Sequence, residues 1–190
     1  MSHFQIFKFS NYSIFILGTC LLILSGCKHD KYAKEIKDAS PYFTNFFTGT
    51  DEDILRNVNF NVSLDEVKKI EQAKLYETTA DHLFYEFIYP KDSSAFSEYA
   101  NVQYFFNENN QLDIITNDIY LNDSAQVAQT KKSFEQYYTK RYGKSERDEK
   151  GYDIWNGEFT DTKTKKDFNY SVALTELEEE VGIKIEYLKE

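Results

Sequence analysis

The chain has 190 residues, 32 acidic against 22 basic, for a formal charge of −10, and 41% of it is hydrophobic. An acidic surface without a basic, aromatic-interleaved stripe excludes the phosphate-neutralising class of nucleic-acid binders, so nucleic acid is not an expected partner. Both cysteines, Cys20 and Cys27, fall near the start, which leaves the remainder without a disulfide, a CxxC redox pair or a thiolate zinc site.

In chain order, the first segment differs in kind from all that follows. Lys8 is the sole formally charged residue before Cys27, and Ile14 to Leu24 is free of charge. A spanning helix needs about 20 apolar residues, and this run is nearer the roughly 7–15 of a secretory h-region. Residues 1–26 therefore read as a signal peptide. Leu24-Ser25-Gly26-Cys27 follows, and it resembles the lipobox of bacterial lipoproteins at all four positions. The resemblance implies a diacylglyceryl thioether on Cys27, cleavage between Gly26 and Cys27, and acylation of the new amino terminus, with palmitate-like chains holding the protein to the lipid bilayer. Two or three long chains anchor almost permanently, because about 0.8 kcal/mol accrues per buried CH₂. The alternative is an ordinary secretory signal with an incidental cysteine. Cleavage before Cys27 would remove 26 residues and one lysine, leaving 164 residues at a formal charge of −11, enough to bury a core without staples.

Residues 27–50 read as a lipidated tether and a short amphipathic lead-in. Four lysines lie between Lys28 and Lys37 against Asp30 and Glu35. With no acidic residue directly after Cys27 and no acidic export run, the expected location is the cell envelope, on the outer membrane facing the periplasm. Ser40-Pro41 and Gly49 bracket a short helix, with cap, first-turn and stop residues where each is favoured. Its aromatics Tyr42, Phe43, Phe46 and Phe47 are expected to dock on the domain's own core, the alternative being a membrane or partner contact.

Residues 51–190 read as one globular α+β domain. Ser63-Leu64-Asp65-Glu66 is a capping box, and Leu64, Val67 and Ile70 give the helix an apolar face. Strands are then expected at Leu83–Tyr89, Tyr99–Phe106 and Leu112–Leu121, with a turn at 107–110. Asn122-Asp123-Ser124 caps a second helix that Gly143 stops after Tyr142. Three more strands follow at Tyr152–Phe159, Phe168–Leu174 and Val181–Tyr187. Strict alternation predicts antiparallel sheet meanders packed under helices, one face buried and one wet. The element order repeats, so 63–121 and 124–188 are possible halves of a tandem of two helix-plus-three-strand units. This order resembles the BamE family of small lipoproteins and, in tandem, the beta-lactamase inhibitor protein fold. Both are binding modules, and the resemblance is one of topology, carrying no functional residue with it.

Candidate chemistry is sparse. His29 stands in the tether; Asp81 and His82 are sequence neighbours whose side chains would project to opposite faces if that stretch is extended, and His82 is expected to be a turn-exposed histidine, so no catalytic triad or other catalytic set is expected. Asp51-Glu52-Asp53 and Glu178-Glu179-Glu180 lack the alternating ligand spacing and turn glycine of a calcium loop; no metal site and no cofactor are expected. Aromatic residues make up 17% of the chain. Tyr85, Tyr89, Tyr104, Trp155 and Tyr170 form a candidate binding face on the strands, the alternative being a tyrosine-rich core. The expected function is a non-catalytic protein- or ligand-binding module of the envelope with a protein partner; the alternative is a carboxylate-based hydrolase of envelope glycans, which needs two acids converging in a cleft, at least one with a shifted pKa.

Overall fold

A computed structural model describes residues 30–46, 49–89, 98–161 and 163–190. Phe47, His29, the signal peptide and the lipobox lie outside these residues. Among the described residues four helices, α1 (Lys31–Lys34), α2 (Pro41–Phe46), α3 (Leu64–Ile70) and α4 (Ser124–Tyr142), accompany eight strands. These are β1 (Lys74–Thr78), β2 (His82–Tyr89), β3 (Glu98–Phe106), β4 (Leu112–Tyr120), β5 (Glu146–Arg147), β6 (Asp153–Thr160), β7 (Asp167–Glu176) and β8 (Gly182–Lys189). They form one antiparallel sheet in the order β1-β2-β3-β4-β8-β7-β6-β5. The first four strands make one meander and the last four another in reverse, meeting where Ile119 faces Ile183 and Asp118 faces Lys184. The α+β class and the antiparallel meanders under helices are as expected.

Local signals account for most of the elements. The Ser63 hydroxyl accepts from the Glu66 amide while the Glu66 carboxylate accepts from the Ser63 amide, so both orphan donors at the start of α3 are satisfied. Asp123 caps α4 by accepting from the Gln126 amide at 2.8 Å, and Gly143, at φ 92°, ends it with a backbone few side-chain-bearing residues adopt. Ser40 caps α2 and is itself tied to α4, its amide donating to the Ser133 hydroxyl at 3.0 Å.

A single core lies between the helices and one face of the sheet. Tyr42, Phe43 and Phe46 of α2, Val67 of α3, and Val127, Phe134, Tyr137 and Tyr138 of α4 pack there with the buried strand residues. Phe43 meets Phe134 edge-on at 5.0 Å between ring centroids, a favoured geometry for two aromatic quadrupoles. Tyr138 and Tyr187 share a hydroxyl–hydroxyl hydrogen bond within the core. Gly157 sits opposite Tyr170, whose ring occupies the space a side chain there would need.

Beneath α3, Arg56 and Glu71 form a buried pair: Nε donates to Oε2 at 2.9 Å and Nη2 to Oε1 at 2.7 Å. Tyr104 donates to the same carboxylate at 2.7 Å. Arg56 and Asn57, both at positive φ, are the two central residues of a tight hairpin between Leu55 and Val58, the type I′ geometry that matches strand twist. Burial pushes the Glu71 carboxyl up, but the guanidinium, the Ala73 amide and the Tyr104 hydroxyl together hold it below its ordinary value.

Candidate functional site

Register decides which side chains meet solvent. Leu83 and Tyr85 of β2, Ala100, Val102 and Tyr104 of β3, Ile115 and Ile119 of β4, Ile183, Ile185 and Tyr187 of β8, Tyr170, Val172 and Leu174 of β7 and Trp155 of β6 are buried against the helices. Tyr85 and Trp155 are 2% exposed, Tyr170 1% and Tyr104 0%. Four of the five aromatics taken as a candidate binding face are therefore core residues, and that assignment is corrected. Their alternation is that of strands with one wet face, but they occupy the dry parity, where large rings fill the space beneath the helices. The side chain of Tyr89 lies outside the described residues.

The opposite parity forms the accessible face. One row across it runs His82, Phe105, Ile114 and Leu188; the next runs Phe84, Gln103, Thr116 and Glu186; a third runs Glu86, Asn101, Asp118 and Lys184; a fourth holds Ile88, Tyr99 and Tyr120. All are partly or fully exposed. Aromatic pairs stiffen this surface: Tyr99 stacks on Tyr120 at 4.5 Å, His82 on Phe105 at 4.5 Å, and Tyr76 leans on Phe84 at 5.1 Å. The His82 ring also shares a 3.1 Å hydrogen bond with the Gln103 amide, so it belongs to the sheet surface, not to a turn. Asp81 instead accepts from the Thr79 hydroxyl at 2.9 Å, leaving the two neighbours with separate partners.

Charge is concentrated near the middle of the face. The Asp118 Oδ1 is buried without a hydrogen-bond partner among the described residues. Burial pushes its carboxyl above the ordinary value, Lys184 opposes this, and Glu186 reinforces it. Lys184 itself is engaged by Glu186 at 2.9 Å. Asp118 thus lies in a polar row between Asn101 and Lys184, flanked on one side by the stacked Tyr99 and Tyr120.

Among the clefts of the described residues, two hold acidic side chains beside basic ones. One of about 660 Å³ opens beside β1 and is lined by Arg56, Glu71, Lys74, Glu86, Phe87 and Ile88. Of its two acids, Glu71 is committed to Arg56 and Tyr104, so its lone pairs are already used. A second, of about 380 Å³, lies between α1 and the end of α4 and includes Lys31, Asp51, Arg141 and Glu158. Asp51 pairs with Lys31 at 3.1 Å, and Asp53 accepts from the Thr50 hydroxyl at 2.7 Å. The acidic run Asp51-Glu52-Asp53 is thus divided among local partners. Among the described residues no group of three or more His, Cys, Asp or Glu side chains converges as metal ligands do, and no helix is long and apolar enough to cross a membrane.

No protein-family model matches the chain, and neither does any curated protein or solved structure.

Proposed function

We propose that the chain is an envelope lipoprotein, held to the bilayer through acylated Cys27, whose wet sheet face is a non-catalytic docking surface for another envelope protein. One observation carries the docking reading: among the described residues the face formed by β2, β3, β4 and β8 stays accessible and presents stacked aromatic pairs on either side of the polar row that holds Asp118. Tyrosine and other rigid aromatics give contact area at small entropic cost and dominate the energetic centres of interfaces. The partner surface that fits carries a lysine or arginine surrounded by apolar side chains, which would supply the hydrogen bonds that Oδ1 of Asp118 lacks. The lipid anchor, the outer-membrane location and the periplasmic orientation rest on Leu24-Ser25-Gly26-Cys27 and the lysine-rich stretch after it. The two meanders, each led by a helix, are proposed to be a tandem pair, with β1 and β5 each adding an outer strand to the expected three.

Photocrosslinking in intact cells tests the surface. A crosslinker at Gln103 or Thr116 on the wet face should yield a discrete adduct, and one at Lys132 on the exposed side of α4 should not. Asp118→Lys or Tyr99→Ser should weaken that complex by roughly tenfold or more, the cost of losing an interface anchor, with the fold unchanged by circular dichroism. Adducts from Lys132 alone would sink this assignment. Cys27→Ser should abolish labelling with a palmitate analogue.

A further inference from the structure

The covalent distance between the proposed anchor and the folded body is short. Asp30, three residues after Cys27, is 3% exposed and held from several sides. Its Oδ1 accepts from the Tyr32 and Ala33 amides at 2.8 and 3.1 Å, capping α1. Its Oδ2 accepts from the Tyr137 hydroxyl at 2.6 Å and from Arg141 at 3.4 Å. Its own amide donates to the Gly49 carbonyl at 3.3 Å. Arg141 reaches on to the Asp51 and Asp53 carbonyls. Of the tether and amphipathic lead-in expected over residues 27–50, the described residues from Asp30 onward belong to the folded body, and between Cys27 and that body stand Lys28 and His29 alone.

Three extended residues span at most about 11 Å. A helix with its side chains is itself about 10–12 Å across, and α1 and α4 lie on the side of the sheet opposite the wet face. The acyl chains cannot reach round to that face. Around Asp30 the exposed side chains include Lys31, Lys34, Lys37 and Lys140 together with Glu35, Asp38 and Glu52; Glu35 is paired with Lys140 at 3.0 Å and Lys31 with Asp51 at 3.1 Å. This surface is mixed in charge, so the short connection to Cys27, not charge, places it against the bilayer. We infer that the protein rests directly on the bilayer through the end formed by α1 and the last turn of α4, with the wet sheet face on the side turned away. The inference rests on the lipidation of Cys27 proposed above. The asymmetry fits a docking surface whose partner stands off the membrane.

The test uses the full lipidated protein in vesicles of phosphatidylethanolamine and phosphatidylglycerol. A fluorophore is placed at Lys34→Cys, Lys140→Cys, Gln103→Cys or Thr116→Cys, and quenching by headgroup-spin-labelled lipid is measured. Quenching at positions 34 and 140 should exceed that at 103 and 116 several-fold. A flexible Gly-Ser linker inserted between His29 and Asp30 should equalise the four positions while the protein still floats with the vesicles. Even quenching in the unmodified, lipidated protein would overturn the orientation alone. A contrast that survives the linker would overturn the role of the short connection. A protein whose mass lacks the acyl groups, and which does not float with vesicles, would overturn anchor and orientation together.

Discussion

At the scale of single residues, the buried polar groups separate into those that are matched and those that are not. Arg56 and Glu71 have side chains 4% and 1% exposed, and each would be costly alone. Glu71→Gln leaves Arg56 charged in the core, a defect expected to cost about 3–5 kcal/mol; urea denaturation of wild type and variant measures it, and a loss below 1 kcal/mol, roughly the worth of an exposed pair, would show that the pair is not buried in solution. Asn117 is the opposite case. It is 0% exposed in β4 among apolar neighbours, and neither its amide nitrogen nor its oxygen has a hydrogen-bond partner among the described residues. Asn117→Ala removes two desolvated polar atoms without adding volume, so the relief of their desolvation offsets the packing lost and stability should change by less than about 1 kcal/mol. A larger fall, read from the melting temperature of that variant, would mean that Asn117 is satisfied in solution.

At the scale of elements, caps and alternation carried most of the information, and their strength can be measured. Ser63→Ala breaks the reciprocal cap of α3 and should cost about 0.5–2 kcal/mol. Glu66 of the same cap is held down at about 2, first by Lys163 and then by the Ser63 amide and hydroxyl. A carboxylate depressed on folding stabilises above its unfolded pKa, and that contribution fades as pH falls toward the folded value. Glu66→Gln should therefore flatten part of the loss of stability between about pH 5 and about pH 2, read from denaturation midpoints. The helices at Leu64 and Ser124 and six of the eight strands were legible because capping residues and period-two alternation are local. β1 was missed because all five of its residues are exposed, so no alternation marks it, and the two-residue β5 is too short to leave a pattern. The candidate face failed for a related reason: alternation reveals that a strand has two faces, while the helices above it decide which one is dry. Tyr85 and Tyr104 differ from Tyr99 and Tyr120 by parity alone, not by residue type.

Across the whole molecule, the sheet is two meanders joined at one seam. Pairing within each meander is between chain neighbours, as Tyr85 with Val102, whereas the β4–β8 seam joins Ile119 to Ile183, 64 positions apart. Closing a loop of that size costs entropy before any contact repays it, and pairings of large sequence separation slow folding. The seam should thus set the pace at which the protein acquires its structure. Ile119→Val and Ile183→Val should slow refolding in stopped-flow experiments for most of the stability they remove, while Val102→Ala, inside the first meander, should chiefly speed unfolding. Until the seam closes, β4 and β8 each present an unpaired edge, and an unpaired edge is a template for a second chain. The same arrangement that yields a broad accessible sheet face in the finished protein makes its half-assembled forms the ones most exposed to intermolecular strand exchange, so crowding by like chains during refolding should trap dimers joined at β4 and β8.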